Sequence, residues 1–382
     1  MARVLFAVPP LVGHVNPALA TAGALSRRGH TVAWAAPAGY ICEHLPAEGT
    51  IYALDGWENG QFVLQDRSAR GLESITQAFG RFAEMAAATF APMVAAVRAF
   101  QPDVMAVDQQ MLSGALAARH VDVPWATLVT TSASVAKPAP PLDAWLEDQW
   151  RRLQETCLPG TTPVLHPDLS PGRVIVFSSK ALVDPAMELL PADYRFVGPA
   201  GGNGRRDVPF PWEWLDARRP LVLASLGTRE RDERAAQFFR TIMAAVTDMD
   251  VQVVIVADES LSSEAPANVL VRSYVPQLAL LDRAAAVIGH GGHNTVCEAL
   301  SRGLPLAIAP VRVDQPTVAR QVVSAGAGVS LRYGKLTVAT ARAAIMSLLN
   351  DPELRAGAAR LAAAFAETRG AEAAADELEG MV

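Results

Sequence analysis

The residues best suited to chemistry cluster between Arg272 and Gln315. A short apolar run, Ala286-Val287-Ile288, leads into His290-Gly291-Gly292-His293-Asn294-Thr295. A helical pattern follows, with Val296, Ala299 and Leu300 apolar and Gly303 as a stop, and a second apolar run, Leu306-Ala307-Ile308, leads to a polar loop with Asp314 and Gln315. Two glycines let backbone approach a ligand closely, and a helix N-terminus presents unpaired N–H groups with a partial positive charge. That combination suits a phosphate. Neither G-x-G-x-x-G nor G-x-x-x-x-G-K-[ST] occurs here. Thr295-x-x-Glu298 also fits a capping box, with Thr capping the helix and Glu reaching back to the cap N–H. On those residues alone the cap is the simpler reading.

A second place for chemistry lies in the N-terminal half. Arg3–Val8 reads as a buried parallel strand, rich in branched and aromatic side chains. Pro9–His14 is the loop after it, and Asn16-Pro17 opens a helix that ends at Gly29. Strands at Thr31–Ala36, Ile51–Leu54, Val104–Val107 and Trp125–Val129, with a helix at Ser113–His120, continue a βαβ rhythm. In doubly wound sheets ligands bind beyond the carboxyl ends of the strands. His14 and Asp108 each follow such an end, at the mouth of one crevice. Taken singly, each also reads as a structural residue, a loop histidine and a turn-capping carboxylate.

The supporting elements need two domains, since 382 residues exceed one ordinary domain. A Gly-rich segment from Val197 to Pro209 marks the boundary, giving domains at 1–204 and 205–365 and a last segment, 366–382. In the second half, Trp212–Arg218 reads as a short helix and Leu221–Ser225 as a buried strand. Gln252–Ala257 is a further strand, Ala339–Ala364 is helical, and Glu372–Leu378 forms a last helix. The Phe- and Met-rich region Gln65–Phe100 reads as a long helix, and Asp143–Leu158 adds Trp145 and Trp150. A net charge of −6 with scattered Lys and Arg argues against a nucleic-acid surface. No apolar run reaches the length of a membrane span. The N-terminus imitates a signal peptide but reads better as strand, loop and helix, so the cytoplasm is expected. Cys42, Cys157 and Cys297 are too few and too scattered for a disulfide framework or a metal knuckle, and read as core filler. Asp248-Met249-Asp250 imitates a D-x-D metal motif but falls in a helix-to-strand loop, where it reads as solvated charge.

The stretch from Tyr274 onward closely resembles the donor-binding signature of nucleotide-sugar glycosyltransferases, as in plant UDP-glycosyltransferases and bacterial macrolide glycosyltransferases. The family pattern is W-x-P-Q, then H-x-G-x-N-[ST]-x-x-E, then P-x-x-x-D-Q. This chain supplies Tyr274-x-Pro276-Gln277, His290-x-Gly292-x-Asn294-Thr295-x-x-Glu298 and Pro310-x-x-x-Asp314-Gln315, in order. The resemblance implies the GT-B fold: α/β, two Rossmann-like doubly wound parallel-sheet domains facing a central cleft, acceptor bound by the first and donor by the second. The C-terminal helix commonly crosses back onto the first domain in such enzymes.

Carried over residue by residue, the resemblance gives Tyr274, in place of the family's Trp, a stacking role on the nucleotide base. Val275 would meet the base edge through its backbone, and Gln277 the ribose. His290 and Thr295, with the Gly291 and Gly292 backbone, would hold the diphosphate, and Glu298 would accept from ribose hydroxyls. Asn294, Asp314 and Gln315 would face the diphosphate and sugar. Thr228, in an S-[LF]-G-[ST] match, would lie near the diphosphate. His293 stands where plant relatives carry Trp. Gly13-His14-x-x-Pro17 matches the segment that bears the family's catalytic base, and Asp103–Asp108 the segment that bears its acidic partner. An imidazole suits that task because an alcohol attacks poorly until a positioned base takes its proton.

The expected function is inverting transfer of a hexose from a UDP- or dTDP-sugar to a hydroxyl of a lipophilic natural product. It needs no cofactor and no metal, and the expected partners are those two small molecules, with a homodimer allowed. Three rivals share the fold. A sugar-nucleotide epimerase needs carboxylates near the sugar, and His14 counts against it. A phosphorylase needs a lysine for pyridoxal, and Lys137, Lys180 and Lys335 lie in no convincing pocket. A catalytically silent partner protein should have lost the base or the donor signature, and both are kept.

Overall fold

The computed structural model describes residues 1–37, 45, 49–57, 69, 71–135, 140–183, 193–201, 208–227 and 232–382. Continuous branched-apolar runs become parallel strands covered on both faces, as such runs demand. In chain order the first sheet and its helices are β1 (Arg3–Ala7), α1 (Val12–Arg27), β2 (Thr31–Pro37), β3 (Thr50–Leu54), α2 (Gly71–Phe100), β4 (Val104–Asp108), α3 (Leu112–Val121), β5 (Trp125–Val129), α4 (Pro140–Cys157), β6 (Arg173–Val176) and β7 (Tyr194–Phe196). The strands lie in the order β3-β2-β1-β4-β5-β6-β7.

The second sheet follows with β8 (Leu221–Ser225), α5 (Glu233–Val246), β9 (Gln252–Val256), β10 (Val269–Arg272), α6 (Gln277–Leu281), β11 (Ala286–Gly289), α7 (His293–Leu300), β12 (Leu306–Ile308), α8 (Gln315–Ser324) and β13 (Gly328–Ser330). Its order is β10-β9-β8-β11-β12-β13, again all parallel. Helices α9 (Val338–Asn350), α10 (Pro352–Ala366) and α11 (Ala371–Glu379) complete the chain. Two compact units result: Met1–Ser179, Ala186–Gly204 and Thr368–Val382 form one, and Lys180–Pro185 with Arg205–Glu367 the other.

Both sheets reverse direction at one place. In the first the chain winds outward from β1 to β3 and returns to lay β4 against β1; in the second it winds from β8 to β10 and returns to lay β11 against β8. The carboxyl ends beside such a reversal are where doubly wound sheets open a crevice for ligands. His14 follows β1 and Asp108 ends β4; Gly227 follows β8 and His290 follows β11.

Several boundaries differ from expectation. Helix α1 starts at Val12, so His14 lies in its first turn, and Pro17 lies inside the helix. Hydrogen bonds from His14 and Val15 N–H to the Leu11 carbonyl, at 2.9 and 3.0 Å, close that turn before proline is reached. The run Ala339–Ala364 is helical as expected but divides into two helices, because Asp351 caps a new start with Pro352 in its first turn. Trp212–Trp214 is only a 3₁₀ turn. The long helix expected from Gln65 is described from Gly71, and residues 65–68 and 70, like Cys42, Lys137 and Thr228, lie outside the described residues. Contrary to expectation, α2 is long and apolar enough to cross a membrane by length and composition, with mean hydropathy 1.2. Its buried residues, including Ala78, Phe82, Met85, Met93 and Val97, follow helical spacing, and the helix packs on α3 and α4. Asp248 and Asp250 are exposed, the latter paired with Arg219 at 2.9 Å.

Helix α11 belongs to the first unit. Ala374, Ala375 and Leu378 enter its core beside Leu25 and Phe177. Around them Arg27, the last residue of α1, and Arg28 just after it pair with Glu372, Arg28 also with Asp376 and Glu379, and His30 with Glu379 at 2.7 Å.

Candidate active site

In the first unit the register of the parallel strands brings together three side chains distant in sequence. His14 Nδ1 lies 2.9 Å from Asp108 Oδ2 and 3.1 Å from Oδ1. Asp108 is 1% exposed and His14 16% at their side chains, so the carboxylate is sealed in while one side of the ring still meets solvent. The Gln110 N–H donates to Asp108 Oδ1 at 2.9 Å and fixes the carboxylate plane. Thr130, just past β5, completes the cluster: its Oγ1 stands 2.7 Å from His14 Nδ1 and donates to Asp108 Oδ2 at 3.3 Å. No motif points to Thr130. The signal available was positional, because β5 pairs with β4 and so ends beside Asp108.

In the second unit the residues around α7 form a connected set. Helix α7 begins at His293 with Gly292 as its N-cap residue. Thr295 and Glu298 therefore lie within the helix, and the expected capping box is not formed. Gln277, the first residue of α6, reaches both instead: its Nε2 donates to Thr295 Oγ1 at 3.2 Å and to Glu298 Oε2 at 2.8 Å. Glu298 is nearly buried, 8% exposed, so this amide supplies a hydrogen bond that its carboxylate needs. Tyr274 is 48% exposed ahead of α6, whereas neighbouring Val275 is buried. Asn294 sits in the first turn of α7. Asp314 and Gln315 open α8, and Gln315 Oε1 accepts from the backbone N–H groups of Val311 and Arg312 at 2.8 and 3.0 Å, bracing the loop rather than facing outward with that oxygen. His293 is buried, its Nε2 3.3 Å from Cys297 Sγ.

His290 occupies the turn between β11 and α7. A Cβ built on Gly227 would lie 2.8 Å from its Cε1, and one on Gly292 would lie 2.7 Å from its Nε2. The imidazole is thus enclosed by two residues that have no side chain. Some of the residue's surface stays open, but the ring is surrounded by protein. Burial pushes the imidazole down to about 4; a hydrogen bond to the Ser225 carbonyl opposes the shift, and the charge of Arg312 adds to it. Between about pH 6.5 and 4 the unfolded chain takes up a proton here that the folded chain refuses, so stability falls as pH falls through that window. His290→Gln should remove that share of the acid sensitivity, bringing urea midpoints at pH 4.5 and 7 closer together than in the parent. An unchanged gap would contradict the shift.

Residues 240–381 match the family described as erythromycin biosynthesis protein CIII-like, C-terminal domain. Over its whole length the chain is 28% identical to the 4'-demethylrebeccamycin synthase of Lentzea aerocolonigenes, 100% of each being covered. It is 30% identical over 329 residues to the tylactone mycaminosyltransferase of Streptomyces fradiae, covering 76% of this chain and 69% of that one. The chain belongs to the natural-product glycosyltransferases. The crystal structure of the calicheamicin glycosyltransferase CalG4 superposes with a TM-score of 0.79 at 24% identity, covering 100% of this chain and 98% of that one, and gives the fold as GT-B.

The glycosyltransferase offers a clean test of the enclosed ring. Gly292 has ordinary backbone angles, φ −60° and ψ 125°, so alanine there adds no backbone strain and only its methyl group collides with His290. Gly292→Ala should force the ring to shift, at some cost in melting temperature, and lose at least tenfold in affinity for a nucleoside diphosphate, read by calorimetry with UDP and dTDP at a temperature where the variant is folded. Unchanged affinity would remove the ring from the nucleotide site.

Proposed function

We propose that this glycosyltransferase inverts the anomeric centre while moving a hexose from a UDP- or dTDP-sugar to a hydroxyl of a lipophilic natural product, without a metal ion. The observation that carries the reading is the 2.9 Å contact between His14 Nδ1 and the sealed carboxylate of Asp108. With Nδ1–H donating to that carboxylate, Nε2 holds the lone pair and takes the acceptor's hydroxyl proton. The oxygen then attacks the anomeric carbon as the bond to the diphosphate breaks, and the electron pair leaves with the diphosphate. Asp108 stabilises the imidazolium that forms, as carboxylates do in catalytic triads.

On the donor side, the Gly291 and Gly292 backbone, Thr295 and the positive end of α7 would meet the diphosphate. Gln277 and Glu298, already bonded to one another, would meet the ribose, and Tyr274 the base. Asn294, Asp314 and Gln315 would frame the sugar side, with Thr228 contributing a hydroxyl. A dianion arriving beside His290 would favour protonation of a ring that is neutral when the site is empty.

The test is thermal stabilisation by UDP, dTDP, UDP-glucose and dTDP-glucose, each with and without EDTA. A ligand that binds only the folded state adds about 2.7 kcal/mol at a hundredfold excess over Kd. A shift with one base, indifferent to EDTA, supports the metal-free donor site and names the base. No shift with any of the four removes the donor reading, and a shift abolished by EDTA removes metal independence. Localisation in the cytoplasm is part of this reading.

A further inference from the structure

The side chains of Asp168 and Gln109 are joined on one side only. Gln109 Nε2 donates to Asp168 Oδ2 at 2.8 Å. The other two oxygens of the pair, Asp168 Oδ1 and Gln109 Oε1, are both buried and both lack a hydrogen-bond partner. Two acceptors shut away from water without a donor are costly, and native proteins rarely keep them. Turning the amide over does not help, because it would set its oxygen against Oδ2. A single proton on Asp168 Oδ1 cures both defects. It would turn that oxygen into a donor, and in a planar acid–amide pair Oδ1 faces the amide oxygen, so a bond to Gln109 Oε1 would close the ring.

We propose that Asp168 is a positioning residue for the His14–Asp108 pair: as a neutral carboxylic acid doubly bonded to the Gln109 carboxamide, it pins the turn that carries Asp108. Gln109 follows Asp108 directly. Its N–H donates to the Leu128 carbonyl at 3.0 Å, and the next N–H holds Asp108 Oδ1. On the other side the Asp168 carbonyl accepts from Thr127 Oγ1 at 3.1 Å, and the Ser170 N–H donates to the same hydroxyl at 2.8 Å. The pair therefore ties the end of β4 to a segment anchored on β5.

Solvation favours the same state. Burial pushes the Asp168 carboxyl up, against the Gln109 hydrogen bond, a backbone hydrogen bond and the charge of His166, which pull it down. Among the described residues, Tyr194 on β7 also faces Asp168, with Asp193 beside it, and His14 and Asp108 flank the turn that Gln109 extends. As pH rises through the raised value the acid ionises, the Oδ1–H bond is lost, and two oxygens face each other where a bond had been. The stability this proton confers should be full below the ordinary aspartate value and fall as pH rises from there through the raised one, whereas dyad geometry should hold until the raised value is passed.

The inference of positioning rests on reading His14 and Asp108 as base and partner; the protonated pair itself does not. The pair is therefore read first, without substrate, by isotope-edited infrared spectroscopy at pH 5.5, where an ordinary aspartate is ionised. The expected result is a protonated-carboxyl band that Asp168→Asn lacks; no such band overturns the proposal. Coupling is read by NMR titration of the His14 imidazole, assigned with a His14→Gln sample. Asp168→Asn offers the same donor and acceptor with no proton to lose, so it should reproduce the parent's His14 titration and abolish the alkaline loss of transfer. Asp168→Leu strands the amide and should shift the His14 titration and cut kcat at least tenfold with nucleotide Kd unchanged. Equal damage in both variants, or an unmoved His14 titration in Asp168→Leu, overturns it. Failure of the transferase reading would show separately, as no transfer by the parent protein.

Discussion

Replacing His14 with alanine is expected to slow sugar transfer about 10²–10⁴-fold, the usual contribution of a positioned general base. Nucleotide binding should survive, because every donor candidate lies in the other unit, between Thr228 and Gln315. The folded state should also tolerate the change: the side chain sits at the start of α1 and is partly open to solvent. Asp108→Asn makes a sharper companion. It keeps the shape but replaces an obligatory acceptor for Nδ1–H with a group that can also donate, so the ring can settle in the tautomer that points N–H at the acceptor hydroxyl. Both variants should show a fall in kcat far larger than any change in KM for the donor. Initial rates with a phenolic acceptor, alongside nucleotide thermal shifts, check this. A His14→Ala rate within twofold of the parent would sink the base assignment.

The second large effect concerns stability. Leu378→Ala should cost about 2–5 kcal/mol, the range for emptying a filled apolar site. Leu378 is fully buried in the first unit's core although it lies at the far end of the chain. The ion pairs that surround it are conspicuous but largely solvent-exposed, where screening and side-chain entropy leave each little net gain. Apolar burial therefore outweighs charge in holding α11. Denaturant titration separates the two: adding salt should move the unfolding midpoint slightly, and Leu378→Ala should move it several times further. The opposite order would make α11 an electrostatic attachment.

Strands such as Val104–Asp108 and Leu221–Ser225 were legible because a parallel strand buried on both faces must be an unbroken apolar run. The two-sheet α/β class follows from their alternation with helical patterns. Helix starts were less legible. Pro17 reads as a first-turn proline by local rule, yet the turn that decides the matter closes on the Leu11 carbonyl upstream. Thr295 and Glu298 have the spacing of a capping box, but their shared partner, Gln277, lies on another helix, and pair spacing within a helix says nothing about that. His14 and Asp108 drew notice through motif and strand ends. Thr130 carries no motif, and only the parallel register of β5 against β4 shows that its hydroxyl falls beside them.

The ring of His290 held between two bare α-carbons bears on how this enzyme can be diversified. A library that randomises position 292 spends nearly all its members on collisions with the imidazole. Position 227 is worse, since its φ of 78° penalises side chains before any contact is counted. Tyr274 is the productive choice: it is exposed, follows the Glu259-anchored Ser273 on its own short loop, and can change without disturbing the ring. If the proposed donor site holds, changes in base preference would be accessible there by single substitutions, whereas the His290 turn would tolerate few.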